Sequence, residues 1–244
     1  APLGRKPGEP LWPEWYTAEM IERAQADERS WNALYQQNPV PDSGTYFKRE
    51  WIGEYIKAPS LIHWYGGSDY AVTDNGGDFT EHGVVGVDHN GTMYVQDWWR
   101  GQTTPDVWVD AWLDMVREHK TMCWFGESGV IRKAVEPSMV RRMDERKTYA
   151  RIEWLPSIAD KPTRARGLQA LASRGKVLIR RDMPHRAELI GQLLRFPAGK
   201  HDDGVDALSI IERGAAMFPA PTAPAETAPA EDHHYAADAG WMVN

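Results

Sequence analysis

Carboxylates stand at three places where the sequence predicts that a strand ends or a helix begins. Asp69 follows a short apolar run and the pair Gly66-Gly67, and Glu127 follows the apolar run that ends at Phe125. The segment that opens the last predicted helix contributes three more acids, Asp202, Asp203 and Asp206. Residues three apart share one face of a helix, so the last two are expected to point the same way. Strand ends and helix starts at one edge of a sheet can converge in space although they are far apart in the sequence.

Carboxylates that converge in this way need a cation. Each carboxylate raises the pKa of its neighbours by repulsion unless a positive charge neutralises it. Hard divalent cations with oxygen ligands meet this need, which favours Mg²⁺, or Mn²⁺ as its close substitute. Two such ions roughly 4 Å apart activate a water and stabilise the leaving oxygen of a phosphodiester. The pattern therefore predicts metal-dependent phosphodiester hydrolysis, although strand-end acids also occur in ordinary loops and Asp202 also suits a helix N-cap.

Other kinds of chemistry find little support in the sequence. It contains no G-x-x-x-x-G-K-[ST] phosphate loop, no G-x-S-x-G nucleophile motif and no H-E-x-x-H zinc motif. The single cysteine, Cys123, excludes an internal disulfide framework and a cysteine-based zinc site. A mean hydropathy of −0.58 and the lack of an apolar run near the roughly 18 residues that span a bilayer predict that no membrane is involved.

The charge of the chain is unevenly distributed. The 244 residues carry a formal net charge of −7 at pH 7, which by itself argues against a nucleic-acid partner. Segment 131–200, however, holds 17 Lys or Arg against 7 Asp or Glu. Such a stretch suits a phosphate-facing surface or the solvated faces of helices, and charge alone does not decide between them. If the first of these interpretations holds, the residues predicted to contact DNA are Arg141, Arg142, Lys147, Lys161, Arg164, Arg166, Arg180, Arg181 and Lys200.

The apolar pattern predicts an α/β fold. Three strands are expected between residues 61 and 99, the first of them breaking at Gly66-Gly67, and Asn90-Gly91 predicts a hairpin between the second and the third. A helix is expected from Pro105, and strands and helices then alternate as far as residue 217. One of these helices is expected to run without interruption from Lys161 to Ser173.

Composition divides the chain into three parts. Residues 1–60 are predicted to be an arm, with prolines around one helix from about Thr17 to Gln37 and with little apolar material of its own. Residues 61–218 form the predicted domain. Residues 219–244 are rich in Ala and Pro and hold four acids, so we predict a disordered tail.

Several motifs follow one another in a characteristic order along residues 8–217. They are Gly8-Glu-Pro-Leu-Trp-Pro-Glu, Leu34-Tyr-Gln-Gln-Asn-Pro-Val-Pro, Gly44-Thr-Tyr-Phe-Lys-Arg-Glu-Trp, Ser68-Asp69, Gly77-Asp78-Phe-Thr80, Gly126-Glu127 and Lys200-His-Asp-Asp-Gly-Val-Asp-Ala-Leu208. In this order they resemble the nuclease portion of a tailed-phage terminase large subunit, a family of the RNase H-like superfamily. The second, third and last motifs are the most specific, whereas each acid alone is weak evidence.

The resemblance implies a fold and a site. The fold would be an RNase H-like mixed sheet, in which an antiparallel three-strand meander continues into parallel strands, flanked by helices. Asp69 would bridge two Mg²⁺ or Mn²⁺ ions, Glu127 would be a further ligand, and Asp203 would complete the catalytic set. Either Asp202 or Asp203 suits the place of the direct ligand, and Asp206 resembles an extra acid of related resolvases.

The resemblance also implies a biological role. Terminase nucleases cut concatemeric double-stranded viral DNA during packaging, so the implied partners are DNA, an ATPase domain of the full-length protein, the terminase small subunit and the portal. The implied place is the host cytoplasm, at the procapsid. Two alternatives stay open from the sequence. One is a nuclease that resembles a Holliday-junction resolvase, and the other is a non-catalytic module that grips DNA or docks on the portal.

Overall fold

The computed structural model describes residues 46–71, 79–158 and 160–222, together with the separate positions 12, 15, 17, 20 and 21. Most of the helix expected between Thr17 and Gln37, the motif residue Asp78 and the tail from residue 223 therefore lie outside the described residues. Within the described ranges, no helix combines the length and the apolar character needed to cross a bilayer.

The described residues form one mixed sheet with helices on both of its faces. Its strands are β1 Ile52–Tyr55, β2 Ile62–Asp69, β3 Thr80–Asp88, β4 Met93–Gly101, β5 Cys123–Glu127, β6 Ile152–Leu155 and β7 Val177–Arg180. The helices are α1 Pro105–His119, α2 Val130–Arg146, α3 Lys161–Arg164, α4 Arg166–Ala172, α5 Arg186–Arg195 and α6 Asp203–Ala215. A 3₁₀ turn, Arg49–Trp51, precedes the first strand.

The strand order across the sheet is β1-β7-β4-β3-β2-β5-β6. Strands β2, β3 and β4 form the predicted antiparallel meander, while β5, β6, β7 and β1 join it in parallel. The helix start at Pro105 and the turn at Asn90-Gly91 are also confirmed. The structure therefore confirms the predicted fold class.

Alternation along the strands divides the core into two layers. Phe125 packs with helices α4, α5 and α6 in one hydrophobic cluster, whereas its neighbour Trp124 packs with α1 and α2 in the other. Successive side chains of a strand point to opposite faces, so the two clusters lie on opposite sides of the sheet. Trp108 and Trp112 of α1, both buried, fill the second layer.

The predicted break at Gly66-Gly67 is wrong. Strand β2 continues through both glycines to Asp69. A Cβ atom would lie 2.0 Å from the Trp124 ring at the first glycine and 2.4 Å from the Ile211 side chain at the second. The glycines leave room for the layers above and below the strand, a requirement that looks like a turn signal in the sequence.

Replacing Gly66 with Ala should therefore destabilise the protein. We expect the free energy of unfolding to fall by about 1–3 kcal/mol, the usual result of overpacking a core, as measured by guanidinium denaturation. Gly191→Ala on α5 is the matched control, because its Cβ would meet only the flexible end of Arg195, 3.1 Å away. That control should be neutral or stabilising by up to about 1 kcal/mol, since Ala favours a helix over Gly. Equal losses in the two variants would contradict the close packing at Gly66.

Two further elements differ from the expectations. The helix expected from Lys161 to Ser173 is divided into α3 and α4 at Ala165, whose φ and ψ angles are −87° and 2°. Strand β1 was not predicted, because four residues with two buried side chains make a weak pattern. It lies in the segment that we interpret as an arm, but it pairs with β7, so this end of the segment is part of the sheet. The domain boundary at residue 60 stays a prediction.

Candidate metal centre

Three elements bring acids to one edge of the sheet. Asp69 is the last residue of β2, and Glu127 is the last residue of the adjacent parallel strand β5. Parallel neighbours end at the same edge, where ligand sites of α/β sheets commonly lie. Helix α6 packs against β2, β3 and β5 and begins at this edge with Asp203 and Asp206 in its first turn. The topology therefore places the predicted acids together.

Asp69, Glu127 and Asp203 line one cleft. Its other walls include Phe79, Ser128 and Ile131. Asp203 is 5% exposed, so its carboxylate is largely shielded from bulk water. These three residues are the set predicted to be catalytic, and the structure brings all of them to the same space.

The structure also separates the roles of the two neighbouring aspartates. Asp202 occupies the N-cap position of α6, and its carboxylate accepts a hydrogen bond from Lys161 Nζ at 2.8 Å. Asp203 instead lines the cleft, where the backbone N–H of Phe79 lies 3.4 Å from its Oδ2 atom. This geometry favours Asp203 as the direct ligand of a metal and Asp202 as a partner of Lys161.

Burial and mutual repulsion perturb the acids of the cleft. Burial raises the pKa of Asp69 well above its ordinary value, and the charges of Asp206 and Asp203 raise it further. Burial likewise raises the pKa of Asp206 to about 6, against the opposing effect of Arg164. Burial is the larger cause of both shifts, and the charges of neighbouring carboxylates add to it.

The positively charged side chain of Arg164 lies among these acids. Arg164 Nη2 donates a hydrogen bond to Asp206 Oδ2 at 2.6 Å, and its Nη1 atom lies 3.8 Å from Glu127 Oε2. The Arg164 side chain is only 11% exposed. It also lowers the pKa of Asp69, against the larger effect of burial. The arginine therefore offsets part of the negative charge of the cleft.

The donors of the cleft suit a hard divalent cation. They are the carboxylate oxygens of Asp69, Glu127 and Asp203. Asp206 lies close enough for its charge to act on Asp69, and its buried Oδ1 atom has no hydrogen-bond partner among the described residues. In the described part of the chain, the possible metal-ligand atoms of one group of three residues lie within 4.8 Å of one another. These residues are Asp97, Glu118 and His119. None of these three lines the cleft. The carboxylates of Asp69, Glu127 and Asp203 do not all lie within 4.8 Å of one another.

The polar support beneath Asp69 is a buried chain of hydrogen bonds. The Trp124 indole N–H donates to Ser68 Oγ at 2.8 Å, and Ser68 Oγ lies 2.7 Å from His82 Nδ1. His82 Nε2 lies 3.0 Å from the Trp108 carbonyl oxygen. A carbonyl only accepts, so Nε2 carries the hydrogen and Nδ1 accepts from the Ser68 hydroxyl. His82 is thus held neutral beneath the site.

This buried histidine predicts an acid-sensitive fold. Burial lowers the pKa of His82 to about 3, whereas the unfolded chain binds a proton near pH 6.5. The stability that the neutral ring provides is therefore complete above about pH 6.5 and is lost as the pH falls toward 3, at up to about 1.4 kcal/mol per pH unit. Urea denaturation at several pH values in EDTA should show this slope of unfolding free energy against pH. In His82→Gln the slope should be smaller by the amount that corresponds to about one proton bound on unfolding. An unchanged slope in the variant would contradict the assignment.

The predicted DNA-contacting residues divide into two groups. Arg141 and Arg142 face acids of α1 and α2, and Arg142 donates two hydrogen bonds to Asp110 at 2.7 and 2.8 Å. Arg180 pairs with Asp182, and Arg181 with Glu54. The remaining residues either border the acids, as Lys161 and Arg164 do, or are exposed; the exposed ones are Lys147, Arg166 and Lys200. Much of the +10 charge of segment 131–200 is thus balanced by nearby carboxylates.

Sequence reasoning missed one acid at this edge. Glu81 lies directly opposite Asp69 in the antiparallel register of β2 and β3 and is fully buried. The pairing that places it there lies beyond the predicted break at Gly66-Gly67, so the predicted meander did not reveal it. The position of Arg164 among the acids had no signal in the sequence, since it depends on how α3 packs beside α6.

Comparison of the sequence with protein families and with curated proteins finds no match. Solved structures are similar at the level of the fold. The large terminase nuclease of the thermophilic phage G20c with bound cobalt has a TM-score of 0.50 at 14% identity, over 71% of this chain and 98% of the phage chain. Other structures of that nuclease hold magnesium or zinc.

Two further structures are similar to the chain. The P22 large terminase nuclease domain has a TM-score of 0.48 at 11% identity, over 72% of this chain and 93% of the P22 chain. RuvC of Thermus thermophilus has a TM-score of 0.40 at 15% identity, over 65% of this chain and 98% of RuvC. The mixed sheet and the G20c similarity together show that this chain has the RNase H-like fold found in large terminase nuclease domains.

Proposed function

We propose that this chain is a divalent-metal-dependent endonuclease that cuts double-stranded DNA, and that it serves as the nuclease part of a tailed-phage terminase large subunit. One observation carries the proposal: Asp69, Glu127 and Asp203 line a single cleft at the carboxyl edge of an RNase H-like sheet. The motif order along the chain and the metal held by the G20c nuclease support it.

The residues of the cleft have distinct proposed roles. Asp69, Glu127 and Asp203 would hold two divalent ions, Mg²⁺ or Mn²⁺. When bound, such ions activate a water as the nucleophile and stabilise the leaving oxygen of a phosphodiester. Asp206, which is hydrogen-bonded to Arg164, would bind at the margin of this set. Lys161 keeps Asp202 in its N-cap position and so orients the neighbouring Asp203 toward the cleft.

The proposed substrate is concatemeric viral DNA, cut during packaging at the procapsid in the host cytoplasm. The proposed partners are an ATPase domain of the full-length protein, the terminase small subunit and the portal. Three acids converging on one cleft argue against a purely non-catalytic DNA-gripping module, because their mutual repulsion would have no use there.

Plasmid cleavage tests the proposal. Purified protein with Mg²⁺ or Mn²⁺ should nick and linearise a supercoiled plasmid, whereas EDTA should abolish the reaction. Linear duplex and a four-way junction of equal length are then compared at the same protein concentration. A strong preference for the junction would indicate the resolvase alternative, and failure to cleave either substrate with both metals would contradict an endonuclease.

The exposed lysine near the cleft provides a test of DNA binding. Lys200 is exposed and precedes His201, whose Nδ1 atom lies 3.9 Å from Asp203 Oδ2. We expect Lys200→Ala to reduce the slope of log affinity against log salt by about 0.9, the value for one lost phosphate contact. Arg142→Ala is the matched control, since Asp110 already neutralises that arginine. Fluorescence anisotropy with a duplex in Ca²⁺ or EDTA measures both slopes, and equal slopes in the two variants would contradict this DNA path.

A further inference from the structure

The proposed mechanism leaves the buried acid Glu81 without a role. Its side chain is fully buried on β3, next to the cleft, and each of its oxygens accepts hydrogen bonds. Oε2 accepts from the Trp98 indole N–H at 2.6 Å. Oε1 accepts from Arg100 Nε at 2.9 Å and from Gln192 Nε2 at 2.6 Å. Because the Glu81 carboxylate is fully buried and each of its oxygens is hydrogen-bonded, its position is rigidly held.

Gln192 connects the Glu81 carboxylate to helix α6. Its Nε2 donates to Glu81, and its Oε1 accepts the backbone N–H of Gly204 at 2.7 Å. The two contacts determine the orientation of the amide group, because a carboxylate only accepts and an N–H only donates. Gly204 stands in the first turn of α6, directly after the cleft acid Asp203 and two residues before Asp206.

The contact requires a glycine at this position. A Cβ atom on Gly204 would lie 2.7 Å from Glu81 Oε2 and 3.0 Å from Gln192 Oε1. Any side chain would therefore push the helix start away from the bridge. The Asp-Gly pair Asp203-Gly204 of the last motif thus combines an acid that lines the cleft with a residue that lets its backbone approach Glu81.

A second connection reaches the same acid from Arg100. The Arg100 guanidinium lies over the Phe79 ring, with Cζ 3.2 Å from the ring centroid. The backbone N–H of Phe79 points to Asp203 Oδ2. Arg100 and Gln192 both donate hydrogen bonds to Glu81. Through Gln192, the carboxylate holds the backbone of Gly204 next to Asp203. Through Arg100 and the Phe79 ring, it also supports the contact between the Phe79 N–H and the Asp203 side chain.

We propose that Glu81 and Gln192 are positioning residues that hold the first turn of α6 so that Asp203 faces the cleft and Asp206 stays bonded to Arg164 beside it. The inference rests on the proposed function and specifies what sets the metal affinity of that site. Loss of partners that orient metal ligands costs about 10–100-fold in metal affinity. A role in core stability alone would leave the affinity of the folded protein unchanged.

Gln192→Met tests the inference, because it keeps the length of the side chain and removes both hydrogen bonds. Isothermal titration with Mn²⁺ is expected to give a Kd about 10–100-fold higher than that of the wild type. The Mn²⁺ concentration for half-maximal plasmid cleavage should rise by the same factor, with a smaller change in the rate at saturating Mn²⁺. Circular dichroism at the same temperature establishes that the variant is folded.

Two comparisons keep the outcome decisive. Tyr55→Phe removes buried hydrogen bonds to Val95 and Gln96 on strands away from the cleft, and it should leave the Mn²⁺ affinity unchanged. Gly204→Ala is the second variant, because its Cβ would lie 2.7 Å from Glu81 Oε2 and so displace the start of α6. It should weaken Mn²⁺ binding as Gln192→Met does, and it provides the test if that variant fails to fold.

Each result has one meaning. Mn²⁺ affinity in folded Gln192→Met equal to that of the wild type would overturn the positioning role while leaving the proposed function intact. A folded Gly204→Ala variant that binds Mn²⁺ as tightly as the wild type would overturn it as well. A wild-type chain that binds no Mn²⁺ and cuts no DNA would contradict the proposed function itself.

Discussion

Replacing Asp69 with Asn is expected to reduce metal-dependent DNA cleavage by about a thousandfold or more. The proposed role of Asp69 is to bridge the metal ions, and metal activation of water and leaving group provides several kcal/mol of barrier lowering, each 1.4 kcal/mol being tenfold in rate. The amide keeps the shape of the side chain, so the cleft should not collapse. The measurement is the initial rate of plasmid cleavage at saturating Mg²⁺ and at saturating Mn²⁺.

The same variant should not be less stable. Burial raises the pKa of Asp69, so the folded pKa of this carboxyl group exceeds its unfolded pKa. In the metal-free protein, the contribution of this group to the free energy of unfolding is therefore lost as the pH rises through the folded pKa. The neutral amide removes that loss, and at pH 7 in EDTA the variant should unfold at the same or a higher denaturant concentration. Asp106→Asn, whose side chain is 83% exposed on α1, is the control for both measurements. Wild-type cleavage rates in Asp69→Asn would overturn the assignment of the site.

Replacing Arg164 with Gln has the second largest expected effect, on stability. We expect the free energy of unfolding at pH 7 in EDTA to fall by about 3 kcal/mol, the lower end of the range for removing one partner of a buried ion pair. Asp206 and Glu127 would then lie beside Asp69 and Asp203 with less positive charge to offset them. Guanidinium denaturation measures the loss.

Two conditions should reverse this loss. Mn²⁺ replaces the missing positive charge, so saturating metal should restore part of the stability. Lower pH should do the same, because the pKa of Asp206 is raised to about 6 in the wild type, and protonation at pH 5 removes much of its charge. Arg142→Gln, which removes a half-exposed pair with Asp110, should cost at most about 1 kcal/mol and show no Mn²⁺ dependence. A loss of equal size in both variants, insensitive to metal, would contradict a compensating role for Arg164.

The sequence predicts the elements whose signals are local. Asn90-Gly91 indicates a tight turn, and Pro105 suits only the first turn of a helix, so both are read correctly from neighbouring residues. Gly66-Gly67 is misread because its cause is not local. The side chains that require the glycines come from Trp124 and Ile211, more than fifty residues away in the sequence. Strand β1 is missed for a similar reason, since its four residues are ordered mainly by pairing with β7.

The candidate site shows the same division. Acids at strand ends and at a helix start can be identified from the sequence, and the structure brings Asp69, Glu127 and Asp203 together. Their partners cannot be identified in this way. The role of Arg164 depends on the packing of a four-residue helix, and that of Gln192 on the approach of α5 to α6. The basic segment 131–200 shows the same difficulty. Its charge suits a DNA-binding surface, but the sequence does not reveal that Arg142 is hydrogen-bonded to Asp110.

We propose that Asp69, Glu127 and Asp203 form a divalent metal site. Crystals of the wild-type chain with Mn²⁺, measured with anomalous scattering at the manganese edge, show whether they do. We expect one or two anomalous peaks in the cleft, within ligand distance of these three carboxylates and with Asp202 still bound to Lys161. An empty cleft, or a peak confined to the cluster of Asp97, Glu118 and His119, would contradict it.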